Sequence, residues 1–175
     1  MRRRELLLGA GAATLASGCG YALQGRGITT DPTIKRIGVP LFKDRTGKLG
    51  LDTRVTAAVA GELLKRGRFT VVKETSDVDA VVEGEIHTYN VLPVGFTGDA
   101  ASAQASRYAI TMVASVVYRK VGQKEPLWSN EAFSQRDEYD FGQNSQTFFD
   151  REDESMNRLS EAFARSLVAA MLEAF

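Results

Sequence analysis

One cysteine, one histidine and one tryptophan serve all 175 residues of this chain, and only four prolines punctuate it. Donors this scarce cannot supply the nitrogen and sulfur ligands of a zinc site. A disulfide needs a second cysteine, so stability has to come from a packed core. Acidic and basic residues balance at 22 each, which removes the cationic excess that drives nonspecific nucleic-acid binding. No Gly-x-Ser-x-Gly turn occurs, and any Ser-His-Asp arrangement would have to recruit the lone His87 from an alternating, strand-like segment. The acidic run Asp150–Glu154 lacks the spaced oxygen ligands and central glycine of a calcium loop. Metal, nucleophilic and phosphate-cradle chemistries all lose their raw material, so the chain reads as a non-enzyme with no cofactor.

What is present begins at the front. Arg2-Arg3-Arg4 precede the apolar stretch Leu6–Leu15, and Ala16-Ser17-Gly18 lead into Cys19. A basic start, a short apolar run and small residues before a cysteine form the layout of a bacterial lipoprotein signal peptide. The run is too short to span a bilayer, which takes about 20 apolar residues. Its small flanking residues let a peptidase reach the backbone before the thiol. Cys19 would then carry a diacylglycerol thioether and an N-acyl chain, each buried methylene contributing about 0.8 kcal/mol to anchoring. Arg3-Arg4 followed by Glu5-Leu6-Leu7 also suits twin-arginine export, and the sequence leaves both export routes open. We therefore expect a signal peptide over 1–18, a lipidated N-terminus and linker over 19–33, and one domain over 34–175. The signal holds three arginines and one glutamate, a net +2, so the remainder carries −2.

The domain reads as β-α-β-β-β-β-α. Ile34–Phe42 suggests a strand shortened by Pro40, and Lys43–Gly47 a polar turn. Leu51, Val55, Val59 and Leu63 recur at helical spacing, with Asp52 or Thr53 as the cap and Gly67 as the stop. Phe69–Lys73 is a short β-branched strand. Ala80–Val91 is a longer one, with Val82, Gly84 and Ile86 opposite Glu83, Glu85 and His87. Tyr108, Ile110, Met112, Ala114, Val116 and Tyr118 share one face of the clearest strand, 107–120. In the returning strand, 127–139, Phe133 falls on the face opposite Trp128. From Arg151 onward, Met156, Leu159, Phe163, Leu167 and Met171 mark a second helix behind an acidic start. Two helices with one apolar stripe each, beside a mostly antiparallel or mixed sheet, predict an α+β two-layer sandwich with both helices on one face.

Segments 92–106 and 140–150 read as two loops at the same end of the sheet. They carry Phe96 in the first and Phe141, Phe148 and Phe149 in the second. Exposed aromatics on loops mark contact surfaces for a partner or lipid; the alternative is that they tuck beneath the second helix. Nearby cations are few, with Arg107 and Arg151 the candidates for an anionic ligand.

Taken together, Cys19-Gly20-Tyr21-Ala22-Leu23, the Ile34–Phe42 strand with Arg45-Thr46, the 51–66 helix, Ala80–Ile86, Tyr108–Met112 and the acid-led last helix resemble the LptE family. These are outer-membrane lipoproteins of lipopolysaccharide assembly. The resemblance spans nearly the whole mature chain and rests on the order of segments, no one of them decisive. It implies a two-layer α/β fold and a non-enzymatic role on the periplasmic side of the outer membrane. The protein would sit inside the LptD-type β-barrel, help it assemble, plug it and contact lipopolysaccharide. The family's loop cations are associated with that lipid, whereas here 92–106 has no lysine or arginine.

A second resemblance, through IGVPLFKDRTG and FTVVK, is to periplasm-facing lipoproteins of the curli-secretion and penicillin-binding-protein-activator types. The long paired strands at 107–139, followed directly by the last helix, favour the first. Exchange of Cys19→Ser should leave a folded, soluble domain without acyl label; labelling that persists in that variant would refute the lipid site.

Overall fold

The alternation of Tyr108 to Tyr118 is the spine of the computed structural model, which describes residues 31–99, 102–140 and 145–173. The elements are β1 (Arg36–Gly38), β2 (Lys43–Asp44), α1 (Leu51–Lys65), β3 (Thr70–Val72), β4 (Ala80–Thr97), β5 (Gln104–Lys120), β6 (Trp128–Asp140) and α2 (Ser145–Glu173). The sheet runs β3-β1-β4-β5-β6, with β2 joined to β4. Contacts of β1 with β3 and β4, and of β2 with β4, are parallel, while β4-β5-β6 is antiparallel. The expected α+β architecture is the one found.

Alternation puts one apolar face on the sheet, and the helices cover that face with their own stripes. Val55, Val59 and Leu63 of α1 and Leu159, Phe163, Leu167 and Met171 of α2 share one core with Ile86, Ile110, Met112, Val116 and Tyr118. The opposite face presents Glu83, His87, Thr111, Ser115, Arg119, Arg136 and Glu138, which are exposed or half-buried. Gly84 lies on the core side, where its missing side chain makes room for the buried ring of Phe42.

Several sequence expectations need correction. Residues 34–42 do not form one strand: Pro40 ends β1, and the polar 43–47 turn rejoins the sheet as β2 against Glu85 and Ile86. The cap of α1 is Gly50 in the left-handed region (φ 75°), not Asp52 or Thr53. Thr56 instead accepts the Phe42 N–H at 3.0 Å. At the other end Gly67 (φ 72°) stops the helix as expected, its N–H reaching Leu64 O. The loop expected over 92–106 is mostly strand. β4 continues to Thr97 and β5 starts at Gln104, because register shifts around Gly95 absorb Pro93 and its missing N–H. The helix expected from Arg151 starts at Ser145, so its acidic run lies inside the helix. Trp128 shares the core side with Phe133, which it meets edge-on at 6.0 Å. A bulge opposite Ala114–Val116 reverses the alternation between them.

Phe42 is packed directly over Gly84, so a methyl group there has nowhere to go. Gly84→Ala should lower unfolding stability by about 1–3 kcal/mol, read as a shifted urea midpoint. An unchanged midpoint would show that the ring moves freely.

Candidate functional site

The chain enters the described structure at the end of the sheet where β4 begins and β5 finishes. Asp31 accepts from Lys120 Nζ at 2.5 Å and from Thr33, bonds that hold its carboxyl well below the usual range. Asp79 accepts the N–H groups of Arg36 and Lys35, both at 2.8 Å, and is likewise lowered. This end is tied down by charge. Cys19 lies outside the described residues.

The opposite end is built differently. Past Ile86, His87 is an extra residue in β4, and its bulge shifts the strand's phase so that Tyr89 and Val91 pack on the core. Glu152 of α2 is buried beside them. Its Oε1 accepts Lys48 Nζ at 2.5 Å and Tyr89 Oη at 3.4 Å, and Lys48 lies 5.4 Å from the Tyr89 ring centroid. Burial first, and the Glu152 carboxylate second, push the Tyr89 phenol up. One turn on, Arg54 of α1 holds Asp153 (2.6 Å) and Asn157 (2.5 Å). Asp137 of β6 accepts from Ser155 (2.6 Å) and Arg158 (2.8 Å). Two acids of α2 thus tie it to Lys48, Tyr89 and α1, and an acid of β6 ties it to the sheet.

Above this network the β4–β5 ribbon projects. The nine residues from Tyr89 to Thr97 rise roughly 25 Å, whereas α2 extends about 10 Å from Glu152 back to Ser145. Leu92 (59% exposed), Val94 and Phe96 (62%) lie bare on the ribbon. Leu49 and Phe149, also exposed, flank a cleft of about 270 Å³ with Lys48, Glu152, Asp153 and Met156. Of the eight large apolar side chains exposed among the described residues, five are therefore at this end.

The residues singled out from sequence separate here. Phe96 is on the ribbon and Phe149 on the first turns of α2, at the same end of the molecule. Phe148 is in α2, its side chain outside the described residues, and Phe141 lies wholly outside them. Arg107 on β5 donates to Asp140 at 3.0 Å, which raises its pKa and occupies its charge. Arg151 is exposed on α2 and makes no ion pair with a described residue. Leu92 and Val94 escape sequence reasoning because 92–106 reads as a loop judged by its aromatics, and Leu49 because it sits alone between Lys48 and Gly50; the run Leu92-Pro93-Val94-Gly95-Phe96 holds the signal. His87 Nε2 lies 2.9 Å from Ser115 Oγ, but its Nδ1 is 3.9 Å from Glu85, a carboxylate already paired with Arg45. Among the described residues, no carboxylate lies within hydrogen-bond reach of Nδ1 to orient that imidazole as a base. What the described residues of the ribbon end offer is exposed apolar contact surface.

The family model for lipopolysaccharide assembly, LptE, matches residues 34–171. No curated protein matches the sequence. Among solved structures, CT253 of Chlamydia trachomatis is similar at TM-score 0.55 and 12% identity, over 81% of this chain and 97% of that one. XCC0632 of Xanthomonas campestris is similar at 0.50 and 8%, over 81% and 85%. A Caulobacter crescentus lipoprotein aligns at 0.50 and 7%, over 77% and 90%. At such identities these likenesses show a shared fold.

Removing Lys48 strands a buried carboxylate, whereas changing Glu152 to its amide leaves both donors an acceptor. Lys48→Met should cost about 2 kcal/mol, and Glu152→Gln less than about 1 kcal/mol. Chemical denaturation of the two variants checks the order, and equal losses would deny the carboxylate its role.

Proposed function

This chain belongs to the LptE family of lipopolysaccharide-assembly proteins, a family of non-enzymatic lipoproteins, and we propose that it is the lipid-anchored plug of an LptD-type outer-membrane barrel. Cys19 carries the acyl chains on the periplasmic side of the outer membrane, the body fills the lumen, and the ribbon end meets lipopolysaccharide in transit. The observation that carries this reading is the asymmetry of the two ends. The chain enters at a salt-bridged end, and the exposed apolar side chains gather at the far one. The uncovered sheet face supports it, since charged and hydroxyl side chains along β4, β5 and β6 suit a wet barrel interior. Arg151 is the cation available near the ribbon for a lipid phosphate; Arg107 is spent on Asp140.

Affinity purification of the tagged chain from solubilised outer membranes tests the proposal. The expected product is a complex with one large barrel and bound lipopolysaccharide, whose lipid content falls on Arg151→Glu but not on Lys73→Glu. Recovery as a ring, or with a periplasmic synthase, would overturn it.

A further inference from the structure

The ribbon carries an apolar run where a phosphate site would need charge. Leu92-Pro93-Val94-Gly95-Phe96 contains no polar side chain, and residues 92–106 include one formal charge, Asp99. Leu92, Val94 and Phe96 are exposed, Val94 the least at 41%. The backbone of this segment is largely used within the β4–β5 ladder, which pairs Leu92 with Ala109 and Phe96 with Ala105. The first cation on β5, Arg107, is bonded to Asp140. The segment thus brings no lysine or arginine to an anionic headgroup, and the next cation is already bonded. The exposed side chains of Leu92, Val94 and Phe96 form an apolar surface at the end opposite Asp31.

Lipopolysaccharide has two chemically distinct halves, a phosphorylated sugar and a bundle of acyl chains. Building on the cargo assigned above, we infer that the ribbon of Leu92, Val94 and Phe96 receives the acyl chains of lipopolysaccharide and leaves its phosphates to other groups. Burial of hydrocarbon against hydrocarbon is nondirectional and scales with area, so recognition here follows chain number and not headgroup charge. It places the lipid's apolar half on the outer stretch of β4 from Leu92 to Phe96, past β2, with β6 still paired to β5 as far as Arg107 opposite Gly95.

The test uses the complete mature chain carrying Cys19→Ser, which needs no detergent, and three probes: intact lipid A, dephosphorylated lipid A, and O,N-deacylated lipid A. The first two should both bind, the third should not bind measurably, and the ribbon's share should be the same with or without phosphates. The combined variant Leu92→Ser, Val94→Ser, Phe96→Ser should bind intact lipid A at least tenfold more weakly. Should that variant lose its fold, a photoreactive residue at position 96 of the full lipoprotein in cells replaces it. It should crosslink to lipopolysaccharide, while one at the exposed Val121, at the opposite end, should not. Loss of all binding on dephosphorylation overturns the inference. So does a triple-serine variant that binds normally, or a position-96 crosslink to the barrel in place of lipid. In each of those cases the plug reading above survives. A parent chain that binds none of the probes and recovers no barrel defeats both.

Discussion

Everything in this molecule follows from a sheet covered on one side only. The six alternating residues of β5, from Tyr108 to Tyr118, commit one face to hydrocarbon. Each of the two helices has a single apolar stripe, so both must lie on that face to bury it. The other face is then free to be polar. Local devices serve this division. The bulge at His87 keeps β4 facing the helices with Tyr89 and Val91 after its even-numbered residues have run out. Phe42 reaches the same core only because Gly84 has no side chain in its way.

The charges obey the same division. Those that hold elements together are short and specific: Lys48 with Glu152, Arg54 with Asp153, Asp137 between Ser155 and Arg158, Lys120 with Asp31. Isolated exposed pairs contribute little to stability, but Glu152 is buried and its partner is not optional. These pairs also explain why a chain with balanced charge has so few cations to offer a ligand. Most are occupied internally, and Arg107 is the clearest case. What the far end presents to its surroundings is therefore mainly apolar.

Much of this is legible in the residues alone. Period-two alternation in β5 and period-3.6 stripes in both helices survive folding because each faces the core without interruption. The expectations that fail share a cause: a contact distant in sequence overrides a local signal. Pro93 and Gly95 look like loop residues, yet register shifts against β5 let the strand carry them. Asp150–Glu154 looks like a solvated helix start, yet Glu152 and Asp153 are bound by Lys48 and Arg54 from about a hundred residues away. Lys43 and Asp44 look like a turn, but β4 supplies a partner. The candidate end is half visible: Phe96 and Phe149 stand out as aromatics, while Leu92 and Leu49 gain meaning only when the ribbon and the cleft are seen together.

One further consequence lies along β6. Its thirteen residues form the outer margin of the sheet, with no strand beyond them among the described residues. A margin of that length is a ready template for another copy of itself. Here Asn130 takes the Ala132 N–H, Gln135 donates to Arg136 O, and Arg158 reaches from α2 to Glu138 O. Three of the groups that a neighbouring molecule would recruit are thus already engaged from within. Strand-by-strand growth loses its footing there, a safeguard against fibres built into the side chains of the margin itself.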